Sequence, residues 1–157
     1  MSGSRWRAKK SAEEEVMIQT LTDQTFTKVC IDSGAGESVC PIDAFPSYDT
    51  HKTAKTGTRY TAAGGQVLIN AGEKRPHSKC GGEDAHMAFQ CTCVHKPLAA
   101  ASKVAQKGNR IVLDADGGFI LNKKTGKKTP LAIENGVYMM EMRVRPAAAP
   151  FQGQEKA

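Results

Sequence analysis

The sequence predicts a mostly β domain, and three observations carry that prediction. Short apolar runs recur along the chain, separated by breaks rich in Gly, Asp, Asn and Lys. One break, "DADGG" at 114–118 between "NRIVL" and "FILN", is a strong hairpin signal, because Asp-Gly steps adopt the tight turns whose twist suits paired strands. Only one segment, "PLAAASKVAQKG" at 97–108, has helical spacing. With 157 residues the chain is long enough for one domain with its own core.

Taken in order, residues 1–14 are polar and charged without periodicity and read as a flexible N-terminal segment. The domain proper is expected over 15–144, and "RPAAAPFQGQEKA" at 145–157 reads as a flexible tail. "VMIQTLT" (16–22) and "FTKVCI" (26–31) are two short strands about the turn "DQT". "QVLINAG" (66–72) is a strand that follows the glycine pair Gly64-Gly65. "HMAFQCTCV" (86–94) sets Met87, Phe89, Cys91 and Cys93 against Ala88, Gln90 and Thr92, a period of two. The one short helix is expected over about 97–107, with Pro97 at its start, alanines within it and Gly108 as its stop. Leu98, Ala101, Val104 and Ala105 would share its inner face. The hairpin of 109–122, the turn "KKTGKK" and a last strand, "GVYMMEMRV" (136–144), close the series.

Composition narrows the function classes. The 22 Lys and Arg exceed the 16 Asp and Glu, for a net charge of +6. Along the chain, however, basic and aromatic residues do not interleave as single-strand binders require, so nucleic acid is not an expected partner of this domain. No stretch approaches the apolar length of a membrane helix, and the N-terminus lacks the apolar middle of a secretory signal. Five cysteines, an odd number without framework spacing, point to free thiols in a reducing compartment. An intracellular, cytoplasmic protein without a cofactor is the expectation.

"KVCIDSGAGESVCP" (28–41) carries the sharpest chemical signal. An apolar strand runs into Asp32, and small residues follow at once: Ser33, Gly34, Ala35 and Gly36. Asp, Ser and Gly also make an ordinary turn. A carboxylate at the end of a buried strand, though, needs a partner. Small neighbours would let two backbones approach closely enough to supply one.

"IDSGAGESV" resembles the active-site segment of the retropepsins, the aspartic proteases of retroviruses and retrotransposons. The rest of the chain is similar to the protease region of copia-type retrotransposon polyproteins. "YTAAGGQVLINAGE" (60–73), "KPLAAASKVAQKGNRIVLDADGGFI" (96–120) and "TGKKTPLAIENGVYMMEM" (125–142) resemble that region in order and spacing. The resemblance covers roughly 24–143. It implies a closed β-barrel of short strands and an aspartic endopeptidase, encoded by a mobile element and housed in its particle, that cleaves its own polyprotein.

The implied chemistry has a physical basis. Two carboxylates in contact cannot both ionise; the charged one takes a proton from water while the neutral one polarises the scissile carbonyl. The chain holds a single Asp-Ser-Gly, and "DADGG" lacks the Ser or Thr, so the second Asp32 would come from a second copy in a two-fold homodimer. The resemblance assigns Asp32 as the catalytic carboxylate and Ser33 as the lock between the two active-site loops. It sets Gly34 against the substrate backbone and Ala35 in the adjoining subsite. Ala62, Ala63, Gly64, Gly65 and Gln66 correspond to the flap, the hairpin that closes over bound peptide. An ordinary hairpin turn is the other reading of that stretch.

Two departures stand out. Gly36 occupies the position where retroviral members commonly carry an Asp that gathers the substrate backbone, and "KPLAAAS" lacks the Arg of their terminal segment. Both leave open a second function, a retropepsin fold kept as a dimerisation or peptide-binding module with weak or no catalysis. "HSKCGGEDAHMAFQCTCVH" (77–95) comes near a zinc-knuckle spacing but misses in one ligand type and one interval, so no metal site is assigned. "DADGG" lacks the later ligands of a calcium loop.

Overall fold

The computed structural model describes residues 25–147. Its central strand is β1 (Thr25–Asp32), whose inward side chains Val29 and Ile31 are buried. Three short strands follow: β2 (Val39–Pro41), β3 (Arg59–Thr61) and β4 (Val67–Ile69). Next come β5 (Gly72–Lys74), β6 (His77–Cys80), β7 (Glu83–His86), β8 (Phe89–Thr92) and β9 (Leu98–Ala100). Among the described residues a single helix, α1 (Ala101–Gln106), precedes β10 (Asn109–Asp114), β11 (Gly117–Asn122), β12 (Lys128–Glu134) and β13 (Val137–Val144). The mostly β reading therefore holds. The strand expected at 16–22 and the flexible segment of 1–14 lie outside the described residues, as does the tail from 148 onward.

Nine strands run in the order β10-β11-β12-β13-β1-β9-β2-β8-β5; β6 joins at β13 and carries β7, while β3 and β4 form a separate ribbon. The closed barrel that the resemblance implies is not formed among the described residues, because the terminal strands β10 and β5 do not pair. Each is covered by something else. The backbone of His51 exchanges hydrogen bonds of 2.9 and 2.8 Å with Glu73 of β5, and α1 packs against β10.

The hairpins form where turn chemistry announces them. Asp114 pairs with Gly117 across the β10–β11 turn, and Asn135 and Gly136 (φ 53° and 81°) supply the two positive φ angles of the β12–β13 turn. Two expectations are corrected. The helix begins at Ala101 rather than Pro97, because Pro97 O accepts the Cys30 N–H (3.1 Å) and Leu98–Ala100 pair in parallel with Cys30–Asp32. Tertiary pairing has overridden the helix preference of the alanines, and of the expected inner face only Val104 is buried within α1. Likewise, the run 86–94 does not alternate in burial. All four residues of β8 are buried, since the strand is enclosed on both faces, while Cys93 beyond it is exposed.

Cross-strand rows on one sheet face build much of the core. Val29, Met140 and Leu131 lie side by side across β1, β13 and β12, with Met142 and Ile120 in the next row. Phe89 is fully buried and packs its ring 5.3 Å from that of Phe45.

Candidate active site

The Asp32 loop is built from the end of β1. Asp32 is half-buried, and Ser33, Gly34, Ala35 and Gly36 carry the chain away from the strand through a turn. The Gly34 N–H donates to Asp32 Oδ1 at 2.8 Å, which fixes the carboxylate plane and leaves Oδ2 for another partner. A Cβ on Gly34 would lie 3.4 Å from that same Oδ1.

The loop returns at Ser38, which is buried and tied on both sides. Its Oγ accepts the Ala100 N–H at 3.0 Å, and its carbonyl accepts the Gln90 N–H at 2.8 Å. With β9 lying parallel to β1 and placing Ala100 beside Asp32, both ends of the loop are anchored to the same strand. Burial, and secondly the Asp32 carboxylate nearby, push the Cys30 thiol above its ordinary range, so it stays a neutral thiol.

The expected flap stretch forms a hairpin. Ala62 N–H donates to Gln66 O (2.8 Å) and Gly65 N–H to Ala62 O (2.9 Å), with Gly65 at φ 85°, a conformation that suits glycine. Ala63, Gly64, Gly65 and Gln66 are exposed at its tip and Ala62 is half-buried. The β3–β4 ribbon exposes Val67 and Ile69 on one side, at 54% and 56%.

A polar network that the sequence does not announce holds the base of this ribbon. Asn70, buried at the end of β4, donates to Tyr60 Oη (2.9 Å) and to Gln90 Oε1 (2.8 Å), while its Oδ1 accepts the Gly72 N–H (2.8 Å). Gln90 in turn donates to Glu73 Oε1 (2.9 Å), whose other oxygen pairs with Arg75 at 2.6 Å. Burial pushes the Glu73 carboxyl up, but the bonds from Arg75 and Gln90 outweigh it and hold the group below the usual carboxylate range. The turn that leads into the ribbon and the Asp32 loop are joined by Lys55, which pairs with Glu37 at 3.0 Å.

Both loops are thus legible in the sequence, whereas Gln90, Asn70 and Lys55 are not. Their types are ordinary, and only their cross-chain partners single them out.

A cavity of about 420 Å³ lies behind the loop, floored by Ser38, Gln90, Val104, Ile120 and Met140; Asp32 does not line it. In the His/Cys segment, His77 and His86 meet edge to face at 4.6 Å across the β6–β7 hairpin, and Cys80 is buried elsewhere in the core. Among the described residues no three His, Cys, Asp or Glu side chains gather as a metal site.

What the Asp32 loop offers chemically is one oriented, half-exposed carboxylate on a small-residue turn. One such group can accept a proton or donate one, and peptide hydrolysis needs both at once. Comparison of the chain with protein-family models, with curated proteins and with solved structures finds no match.

Proposed function

We propose that the chain is an aspartic endopeptidase of the retropepsin kind, of copia retrotransposon type, acting as a homodimer on the polyprotein that contains it. The observation that carries this reading is the Asp32 carboxylate at the end of β1, with Oδ1 held by Gly34 N–H at 2.8 Å and the exposed Ser33, Gly34 and Gly36 around it. A second copy related by a two-fold axis would bring its own Asp32 against the first. The pair would then share one proton, one member activating water and the other polarising the scissile carbonyl. Ser33 would bridge the two loops, Gly34, Ala35 and Gly36 would follow the substrate backbone, and the 62–66 hairpin tip would close over it.

The test is cleavage of a peptide library under mildly acidic conditions, about pH 5. The expected result is cleavage by the native chain and none by Asp32→Asn. Cleavage unchanged in Asp32→Asn would overturn the proposal. A native chain that dimerises and binds peptide without cutting it would instead favour the non-catalytic module. Sedimentation at tens of micromolar is expected to show dimer.

A further inference from the structure

The outer face of the sheet holds an arrangement that no linear stretch of the sequence contains. Strand register sets Phe26 of β1 beside Arg143 of β13, and Arg143 beside Lys79 of β6. On the same face, Arg110, Leu121 and Lys128 lie side by side across β10, β11 and β12. The adjoining row places Lys28 beside Glu141 and sets Phe119 between Val112 and Pro130. Cations and rings are in contact here: Lys128 Nζ stands 4.4 Å from the centre of the Phe119 ring, and the Arg143 guanidinium 5.7 Å from that of Phe26.

This face is open to solvent. Phe26 is 66% exposed, the most exposed large apolar side chain among the described residues. Arg110, Lys128 and Arg143 are exposed as well, and the β11–β12 turn adds Lys123, Lys124 and Lys127 at its end. Lys28 is engaged by Glu134 at 2.9 Å and Lys79 by Asp84 at 3.7 Å, so Arg110, Lys128 and Arg143 are the cations of the rows outside these ion pairs, with Glu141 among them. A recess of about 190 Å³ opens beside Phe26, between Arg143, Lys79, Pro130 and the backbone of Gly81 and Gly82, with Glu141 on its wall.

We propose that this face binds single-stranded nucleic acid. The cations along the rows would track the phosphates. Phe26 offers an exposed ring on which a base stacks, a contact open to any base. Glu141, out of place on a phosphate-binding surface, can accept a hydrogen bond from an N–H of a base seated in the recess, such as the N3–H of uracil. A packed protein partner fits less well, because Lys28, Glu141, Lys128 and Arg143 are spread through the middle of the face among its apolar side chains. The proposal does not rest on the protease reading.

The test is fluorescence anisotropy of a labelled oligouridylate of about 16 nucleotides, titrated with the full chain at two or more salt concentrations. The expected result is binding at low salt with a log–log salt slope of about −2, three phosphates at roughly −0.7 each. Phe26→Ala is expected to weaken binding about fivefold or more, the loss of one stacked base. The triple variant Phe26→Ala, Lys128→Gln, Arg143→Gln should weaken it further, and Lys52→Gln, an exposed cation near the far edge of the sheet, should leave it unchanged. All four residues are exposed, so circular dichroism should show native spectra. Absence of binding at low salt, or undiminished binding by the triple variant, would overturn the proposal. So would equal affinity for heparin together with indifference to Phe26→Ala, which would mean charge alone.

Discussion

Asp32 stands out in the bare sequence because everything that marks it is local: a strand, an acid and four small residues. The 2.8 Å bond from Gly34 is part of that same local geometry. Gly36 carries the opposite lesson. Nothing lies within 4 Å of a Cβ built there, so the residue is small without being required to be small. Gly36→Asp is therefore expected to change stability by no more than about 0.5 kcal/mol in a denaturant titration, as exposed substitutions do. Under the protease reading it should lower KM for peptides, by adding an acceptor where the substrate backbone passes. In the core the expectation is large. Phe89→Ala removes a fully buried ring and should cost about 3–5 kcal/mol in the same titration. Gln90 sits one position along, and its bridging of Asn70 and Glu73 cannot be read from the chain, because both partners lie about twenty residues upstream.

At the scale of elements, hairpins are legible in the sequence and isolated three-residue strands are not. The 109–122 hairpin, the lysine turn and the last strand all form, since a turn signal flanked by apolar residues specifies its own pairing. β2, β5 and β9 have no such local signal. They exist because β1 and β8 offer them edges, which is how three residues of an alanine-rich run become a strand. Gly118 shows how closely one of the readable hairpins is built: a Cβ there would run into the Val112 carbonyl across the pair. Gly118→Val should destabilise the chain by about 1–3 kcal/mol and lower its thermal midpoint. For the ribbon, Gln90→Leu would leave the buried Asn70 amide short of an acceptor, at a cost of about 1–3 kcal/mol. Hydrogen exchange should then quicken at Gly57 and Asn70, whose N–H groups bond to Asn70 O and Thr58 O at the ribbon base, more than in β12 or β13.

For the molecule as a whole, the same network sets an acid limit. The folded-state value of Glu73 lies below its unfolded one, near 4.3, so its contribution is complete above that pH. It is lost as pH falls through the lowered folded value. The thermal midpoint should therefore drop on acidification below about pH 4 and hold at pH 5, and Glu73→Gln should flatten that part of the profile. The mostly β class and the helix near residue 100 are legible from turn spacing and composition. The open strand order is not, because which edges stay unpaired depends on contacts such as His51 on Glu73 that no local pattern encodes. One of those distant pairings also sets a schedule. The β9 strand that flanks Asp32, and the Ala100 N–H that its loop grips, are made almost seventy residues after it. Until then the Asp32 loop lacks the strand that anchors both its ends, so its geometry is completed only by a contact of long sequence separation.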